Sequence, residues 1–103
     1  MQFPDQLAIE LRARSDIADI WNYTRLTWGE AQADRYVDEL FDSCKQLTEH
    51  PGLGRPQPHL HPDMHVYPHA SHHIFYLANR RPVTFIAFLH GRMDMPQHLA
   101  GRL

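Results

Sequence analysis

The stretch Pro82–Asp94, P-V-T-F-I-A-F-L-H-G-R-M-D, decides the fold of this chain. Its residues from Val83 to Leu89 follow one another without a charge and are rich in Val, Phe and Ile, which favour strands. Side chains alternate along a strand, so one face is expected to carry Val83, Phe85, Ala87 and Leu89, and the other Thr84, Ile86, Phe88 and His90. A strand that is apolar on both faces is predicted to be central and covered on both sides.

The apolar run ends at His90-Gly91-Arg92. Gly91 permits a sharp turn, and Arg92 follows as a permanent cation at the exit of the strand. From spacing alone, Arg92 is open to three interpretations: a solvated loop charge, an ion-pair partner for Asp94, or a functional cation.

Composition bounds the class of protein. The chain has 103 residues, 43% of them apolar, which predicts a single domain over residues 1–103. Cys44 is the one cysteine, so no internal disulfide is possible and a reducing compartment is expected. Neither a charged-then-apolar leader nor a run of about 18 apolar residues is present, and we therefore expect a soluble cytoplasmic protein without membrane contact.

Charge is unevenly distributed along the sequence. Residues 1–50 carry ten acidic and five basic residues, whereas residues 51–103 carry five arginines, two aspartates and eight of the nine histidines. An anionic partner is therefore expected to contact the second half. The net charge of −2 argues against avid binding to nucleic acid.

The first half predicts a strand followed by a helical hairpin. Alternation of Leu7, Ile9 and Leu11 indicates a strand over residues 6–13, and Ser15 or Asp16 is expected to cap the next helix. Helical spacing then gives an apolar stripe, expected in the core, of Ile17, Ile20, Trp21, Tyr23, Leu26 and Trp28. Gly29 breaks the pattern, and a second helix is predicted from Glu30 to about Thr48, with Cys44 on its buried face.

The second half predicts a loop and an antiparallel meander. The loop is P-G-L-G-R-P-Q-P over residues 51–58. Strands follow at 64–67, closed by Pro68, and at 72–78, joined by a turn at Ala70-Ser71, before the strand at 83–89. Pro96 is placed to open one further helical turn. The predicted class is α+β, a helical hairpin packed on a mostly antiparallel sheet in the order β-α-α-β-β-β.

The histidines suggest two kinds of chemistry. Six of them lie between His59 and His73, but adjacent His72 and His73 must point to opposite faces of a strand, so we expect no metal site and no cofactor. Metal-free RNA cleavage needs an acid, a base and cations around one phosphate. The residues available for those roles are His73, His90, Arg55 and Arg92.

Four segments, in this order, resemble the ParE toxins of the ParE/RelE superfamily of type II toxin–antitoxin modules. They are W-G-E-A-Q-A-D-R-Y (28–36), H-P-G-L-G-R-P (50–56), H-H-I-F-Y (72–76) and L-H-G-R-M-D (89–94). The resemblance covers residues 7–95 and implies a RelE/ParE-like fold. It also implies a toxin that inhibits DNA gyrase and replication, is linked to plasmid stabilisation and forms a hetero-oligomer with a ParD-type antitoxin. Operator DNA would be bound only through that antitoxin.

Two alternatives remain open at this stage. One is a ribosome-dependent mRNA endonuclease like the RelE relatives, although Asp94-Met95-Pro96 does not match the R-x-x-x-Y ending of many of them and their lysines are missing. The other is a non-toxic homologue that acts only with its antitoxin in autoregulation. We expect no enzymatic activity. Residues expected to contact the target or the antitoxin are Arg92, His90, Arg55, Tyr76, Ile86 and Phe88.

The last two of these residues carry a specific expectation about the free chain. A helical hairpin covers one face of a sheet, so Ile86 and Phe88, on the opposite side of the central strand, are expected to be uncovered. An antitoxin helix or added strand would then bury them.

Overall fold

A helical hairpin packed on a five-stranded sheet makes up residues 1–93 and 95–103, which this computed structural model describes. The strands are β1 (Ala8–Ile9), β2 (Arg55–Pro56), β3 (Met64–His69), β4 (His72–Leu77) and β5 (Thr84–His90). The helices are α1 (Leu11–Trp28), α2 (Glu30–Glu49) and α3 (Met95–Leu99), with a 3₁₀ turn at Pro51–Leu53. The predicted α+β class is confirmed, and Pro96 lies in the first turn of α3 as expected. Among the described residues, no helix combines the length and apolarity that a membrane crossing requires.

The strand order is β1-β5-β4-β3-β2, which places β5 inside the sheet. It pairs in parallel with β1 and antiparallel with β4. Residues 85–89 are all buried, so the prediction of a central strand covered on both sides is confirmed. The reason is the composition of the run, which offers apolar side chains to both faces.

A bulge in β5 changes which side chains share a face. Phe75 lies opposite Ala87 and Tyr76 opposite Phe85, which leaves Ile86 as the extra residue. Phe85 and Phe88 consequently lie on the same face, with ring centroids 6.3 Å apart, in the core beneath α1 and α2. Strict alternation is therefore wrong for the second half of the strand. We call the side under the hairpin the helix-covered face.

The opposite side carries its own apolar cluster, and α3 closes over it. This tail-covered face consists of Met64, Val66, Phe75, Leu77, Ile86, Ala87 and Leu89, with Leu99 of α3. Ile86 is 3% exposed and Phe88 is 2% exposed. The expectation that these two side chains are uncovered is wrong, because the C-terminal tail returns across Ile86 while the bulge rotates Phe88 beneath the helices.

A part-buried ion pair fixes the end of the tail. The Arg102 guanidinium binds both carboxylate oxygens of Asp16, at 2.6 and 3.0 Å. Arg102 also donates to the Ile86 carbonyl at 3.1 Å, and the Phe88 N–H donates to Asp16 at 3.0 Å. These backbone groups flank the bulge, beyond the point where β1 ends opposite Phe85. The pair thus replaces the strand partner that β5 lacks there.

The start of α1 differs from the prediction. The strand expected over residues 6–13 is only Ala8–Ile9, and the helix begins at Leu11, so Ser15 and Asp16 lie inside the helix rather than at its cap. Asp16 binds Arg102 instead, and Leu11 is 82% exposed. The strand β1 is short because the chain pairs with β5 only at Ala8 and Ile9 and then enters helix α1.

The two helices bury different amounts of their apolar stripes. In α2 the predicted burial of Cys44 is confirmed, and Val37 and Leu40 lie in the core with it. In α1 only Ala13, Ile17 and Ile20 are buried. Tyr23 and Leu26 are both 70% exposed and Trp28 is 66% exposed, so the prediction that they are core residues is wrong. The helical period was read correctly, but no described element covers that part of α1.

The loop and the first meander strand also differ from expectation in detail. Arg55 and Pro56, predicted as loop, form β2 by pairing with β3. The strand β3 continues through Pro68 to His69, where Pro68 was expected to end it. Proline is tolerated there because β2 pairs β3 only at His65 and Val66, so β3 is an edge strand beside Pro68. The turn at Ala70-Ser71 is confirmed.

Candidate functional site

A cleft of about 410 Å³ lies where β5 ends, on the helix-covered face. Its lining residues are Asp16, Asp19, Ile20, Tyr23, His72, Phe88, His90, Arg92 and Met93. Helix α1 forms one wall. The start of β4, the end of β5 and the turn that follows β5 form the other wall. Apolar walls with a few convergent polar groups are typical of a binding site. We refer to it as the cleft.

The turn after β5 fixes the position of Arg92. The Gly91 N–H donates to the Ser71 carbonyl at 3.0 Å, and the Arg92 N–H donates to His90 Nδ1 at 3.1 Å. Arg92 itself is exposed at the mouth of the cleft. Asp94, its expected ion-pair partner under the structural interpretation, lies outside the described residues. The second bond also leaves Nε2 of neutral His90 as the protonated nitrogen of the ring.

Histidines and hydroxyl groups form a polar network behind the cleft. Tyr36 Oη lies 2.6 Å from His72 Nδ1, and Ser43 Oγ lies 2.9 Å from His69 Nδ1. The rings of His72 and His90 meet edge to face with centroids 5.4 Å apart. Helix α2 therefore holds the first residue of β4 and, through it, one wall of the cleft.

Burial favours the neutral forms of His72, His69 and Tyr36 in this network. Desolvation, followed by the neighbouring His90, His69 and His73, lowers the pKa of His72 to about 4. Desolvation also lowers the pKa of His69 and raises the pKa of the Tyr36 hydroxyl. Charged side chains also line the cleft: Arg92 on one wall, and Asp19 and Asp16 on the wall formed by α1, where Asp16 is paired with Arg102.

An exposed apolar strip continues the cleft along α1. Tyr23 lines the cleft, and Leu26 follows one turn later toward Trp28 at the end of the helix. Aromatic side chains are enriched at protein–protein contacts, and an exposed set beside a cleft indicates an interaction surface.

A second, smaller concavity of about 310 Å³ lies on the tail-covered face. We call it the sheet-side pocket. It is lined by Arg55, Gln57, His59, Leu60, Val66, His73, Phe75, Met95 and Pro96. The structure therefore separates the residues considered for RNA cleavage: His90 and Arg92 lie at the cleft, whereas His73 and Arg55 lie in the sheet-side pocket. His73 pairs with Leu89 and His72 pairs with His90, so the side chains of His73 and His90 point to opposite faces of the sheet.

Tyr76, expected as a contact residue, is part of the core. It is fully buried, donates its hydroxyl hydrogen to the Pro51 carbonyl at 2.7 Å and accepts a hydrogen bond from the Gly54 N–H at 2.9 Å. A Cβ atom at Gly54 would lie 2.5 Å from that hydroxyl oxygen, so only glycine fits. Tyr76 thereby positions the loop that leads into Arg55 at the start of β2.

The expected separation of His72 from His73 is confirmed, since His72 contacts Tyr36 of α2 while His73 lines the sheet-side pocket. Within the described residues, no group of three or more His, Cys, Asp or Glu side chains is arranged to hold a metal ion. Burial raises the pKa of the Cys44 thiol, so this cysteine is an unreactive core residue.

Sequence reasoning missed several residues of the cleft. Tyr23 was assigned to the core, His72 was considered only as a metal ligand, and Asp19 was not singled out as a site residue. The apolar spacing of α1 contained a signal for this exposure. Ile17 and Ile20 already form a buried stripe, and Tyr23 and Leu26 continue the same stripe as exposed residues. Contact between Tyr36 and His72 joins residues 36 positions apart and has no local signature.

Comparison with known proteins identifies relatives along most of the chain. Residues 7–95 match the family described as ParE toxin of type II toxin-antitoxin system, parDE. Toxin ParE1 of Caulobacter vibrioides is 38% identical over 88 residues, which are 85% of this chain and 91% of that protein. Toxin ParE of Escherichia coli is 34% identical, over 88% of this chain and 89% of that protein. Toxin ParE1 of Mycobacterium tuberculosis is 28% identical, over 84% and 90%. The chain belongs to the ParE toxin family of type II toxin–antitoxin systems.

Proposed function

We propose that this chain is a toxin that binds DNA gyrase, stabilises the cleaved gyrase–DNA complex and so blocks replication, and that a ParD-type antitoxin neutralises it. Family membership supports the toxin role and an antitoxin partner. The proposed target would place the chain in the cytoplasm. The action is that of a binding protein and requires no catalytic residue.

The observation that carries the choice of target is the separation of the two histidines. Acid–base cleavage of RNA needs a proton donor and a proton acceptor on opposite sides of one phosphate, within hydrogen-bond reach. His90 lies at the cleft and His73 in the sheet-side pocket, on the two faces of the sheet. That arrangement favours binding over RNA cleavage.

The make-up of the cleft fits a protein partner. Its walls include Ile20, Phe88 and Met93, it continues into the exposed side chains of Tyr23 and Leu26, and Arg92 lies at its mouth. Arginine and tyrosine beside apolar side chains are the residue types that dominate the energetics of protein–protein contacts. A nucleic-acid groove would instead carry several cations.

Purified gyrase with supercoiled plasmid and ATP tests the proposal. Adding the chain should cause cleaved gyrase–DNA complexes to accumulate, and adding the cognate antitoxin first should prevent it. Unaltered gyrase activity, together with cuts at defined codons in mRNA on ribosomes, would contradict the proposal and support the endonuclease alternative. A chain that is harmless on expression yet binds its antitoxin would support the autoregulatory alternative.

A further inference from the structure

The sheet-side pocket plays no part in the proposed contact with gyrase, yet the polar side chains that line it are basic or neutral. Its polar side chains are Arg55, Gln57, His59 and His73, and no carboxylate is among the described residues that line it. The cleft, by contrast, is lined by Asp16 and Asp19. A concavity whose described lining supplies a guanidinium, imidazoles and an amide is complementary to an anion.

The position of Arg55 is fixed from two sides. Its backbone pairs with Val66 in the sheet, and the preceding Gly54 N–H is bound by the Tyr76 hydroxyl. The side chain of Arg55 is exposed above a floor formed by Val66 and Phe75. A cation held on a rigid backbone loses little freedom when it binds a ligand, which favours even a small site.

One ring nitrogen of His73 has no partner among the described residues. This atom, Nδ1, is buried, and no residue that the structure describes forms a hydrogen bond with it. A buried N–H without an acceptor is costly, so the proton of the neutral ring belongs on Nε2, which makes that nitrogen the donor. His73 therefore supplies a second donor beside Arg55 in the same pocket.

We propose that the sheet-side pocket binds one phosphate group of a DNA backbone, so that the toxin contacts DNA on this face while the cleft contacts gyrase. This inference rests on the proposed function. The distribution of charge supports the orientation, because the outer surface of α2 carries Asp34, Asp38, Glu39 and Asp42 and would be repelled by DNA. A single phosphate contact also agrees with a chain of net charge −2, which has too few cations to bind DNA unaided.

Titration of the free chain with inorganic phosphate tests the site itself. The imidazole NMR signals of His59 and His73 should shift and saturate, with a Kd on the order of 1 mM because a single exposed ion pair contributes little. Arg55→Ala should weaken binding about tenfold, the usual effect of losing one charge-assisted hydrogen bond. The matched control, Arg80→Ala, removes an exposed arginine that does not line the pocket and should change nothing. Unmoved histidine signals, or equal binding by both variants, would overturn the anion site.

The gyrase cleavage assay tests whether DNA is the source of the phosphate. Arg55→Ala should raise the toxin concentration for half-maximal cleavage about tenfold, and lower the salt dependence by about one unit of log–log slope. Its binding to gyrase without DNA should be unchanged. Normal cleavage by this variant would overturn the DNA assignment, as would displacement of phosphate by an acidic peptide but not by a short oligonucleotide. If the unaltered chain binds phosphate but causes no cleavage, the proposed function fails while the anion site stands.

Discussion

The two faces of the sheet differ in what covers them and in what they leave accessible. On the helix-covered face, long helices bury the core and the cleft opens only at the end of β5. On the tail-covered face, cover comes from a five-residue helix and a loop, and the sheet-side pocket stays open between them. Neighbouring residues His72 and His73 illustrate the contrast: His72 is hydrogen-bonded to Tyr36, whereas Nδ1 of His73 has no partner in the part of the chain that the structure describes. The strand β4 thus contributes His72 to the cleft and His73 to the sheet-side pocket.

The link between the two faces is Arg102, and breaking it should have the largest effect on stability. Its side chain is 6% exposed and Asp16 is 13% exposed, so Arg102→Ala leaves a nearly buried carboxylate unpaired. We expect the free energy of unfolding to fall by about 3 kcal/mol. Denaturation with urea measures it.

A matched control for that variant is Arg12→Ala, which removes an exposed 3.5 Å contact to the Ala100 carbonyl of the same tail. Its loss should stay below about 0.5 kcal/mol. If both variants lose the same small amount, the tail is not held by the ion pair and the two faces are not linked in this way.

The next largest effect on stability should separate Gly54 from Gly52, the two glycines of the loop before β2. A Cβ at Gly54 would lie 2.5 Å from the Tyr76 hydroxyl oxygen and 2.8 Å from the Val66 carbonyl oxygen, whereas a Cβ at Gly52 has no neighbour within 4 Å. Gly54→Ala should therefore cost about 2 kcal/mol of unfolding free energy through overpacking. Gly52→Ala should change it by less than about 0.5 kcal/mol. Similar melting temperatures for the two variants would show that the loop adapts and that Arg55 is not rigidly placed.

Acid should weaken the helix-covered face through His72. Its pKa is lowered to about 4 in the folded chain by desolvation and by His90, His69 and His73. The unfolded chain, with an ordinary histidine pKa near 6.5, then binds more protons between about pH 6.5 and 4. The stability contributed by neutral His72 is complete above about pH 6.5 and is lost as the pH falls toward 4.

The melting temperature measured across that range checks the expectation. It should fall with pH in the unaltered chain and less steeply in His72→Gln. The exposed His59 lies on the other face, so His59→Gln should keep the full slope. If melting temperature depended equally on pH in all three proteins, His72 would not be the source of the acid sensitivity.

The sequence predicted the class of fold, the central strand and the hairpin because these depend on local composition and periodicity. It predicted the face of Phe88 wrongly because the bulge at Ile86 arises from pairing with β4, which has no local signature. The tail over Ile86 was missed for the same reason: the contact between Arg102 and Asp16 joins residues 86 positions apart.

The site was predicted less completely than the fold. Arg92 and His90 were placed correctly at the exit of the strand, because a glycine after an apolar run marks that point. They are separated from His73 and Arg55 because the two pairs lie on opposite faces of the sheet. The sequence alone left open whether His73 and His90 converge. Tyr23 was assigned to the core because helical spacing shows which residues share a face, but not where the covering element ends.

The smallest expected change in stability belongs to Arg92, and its variant gives the most direct test of the cleft as the surface that contacts gyrase. Arg92 is exposed, so Arg92→Ala should alter the free energy of unfolding by less than about 0.5 kcal/mol. The measurement is the amount of cleaved gyrase–DNA complex as a function of toxin concentration, with Arg80→Ala as the matched control at an exposed site away from the cleft. We expect Arg92→Ala to need about tenfold more toxin and Arg80→Ala to match the unaltered chain. Equal cleavage by all three proteins would contradict the assignment of the cleft to gyrase.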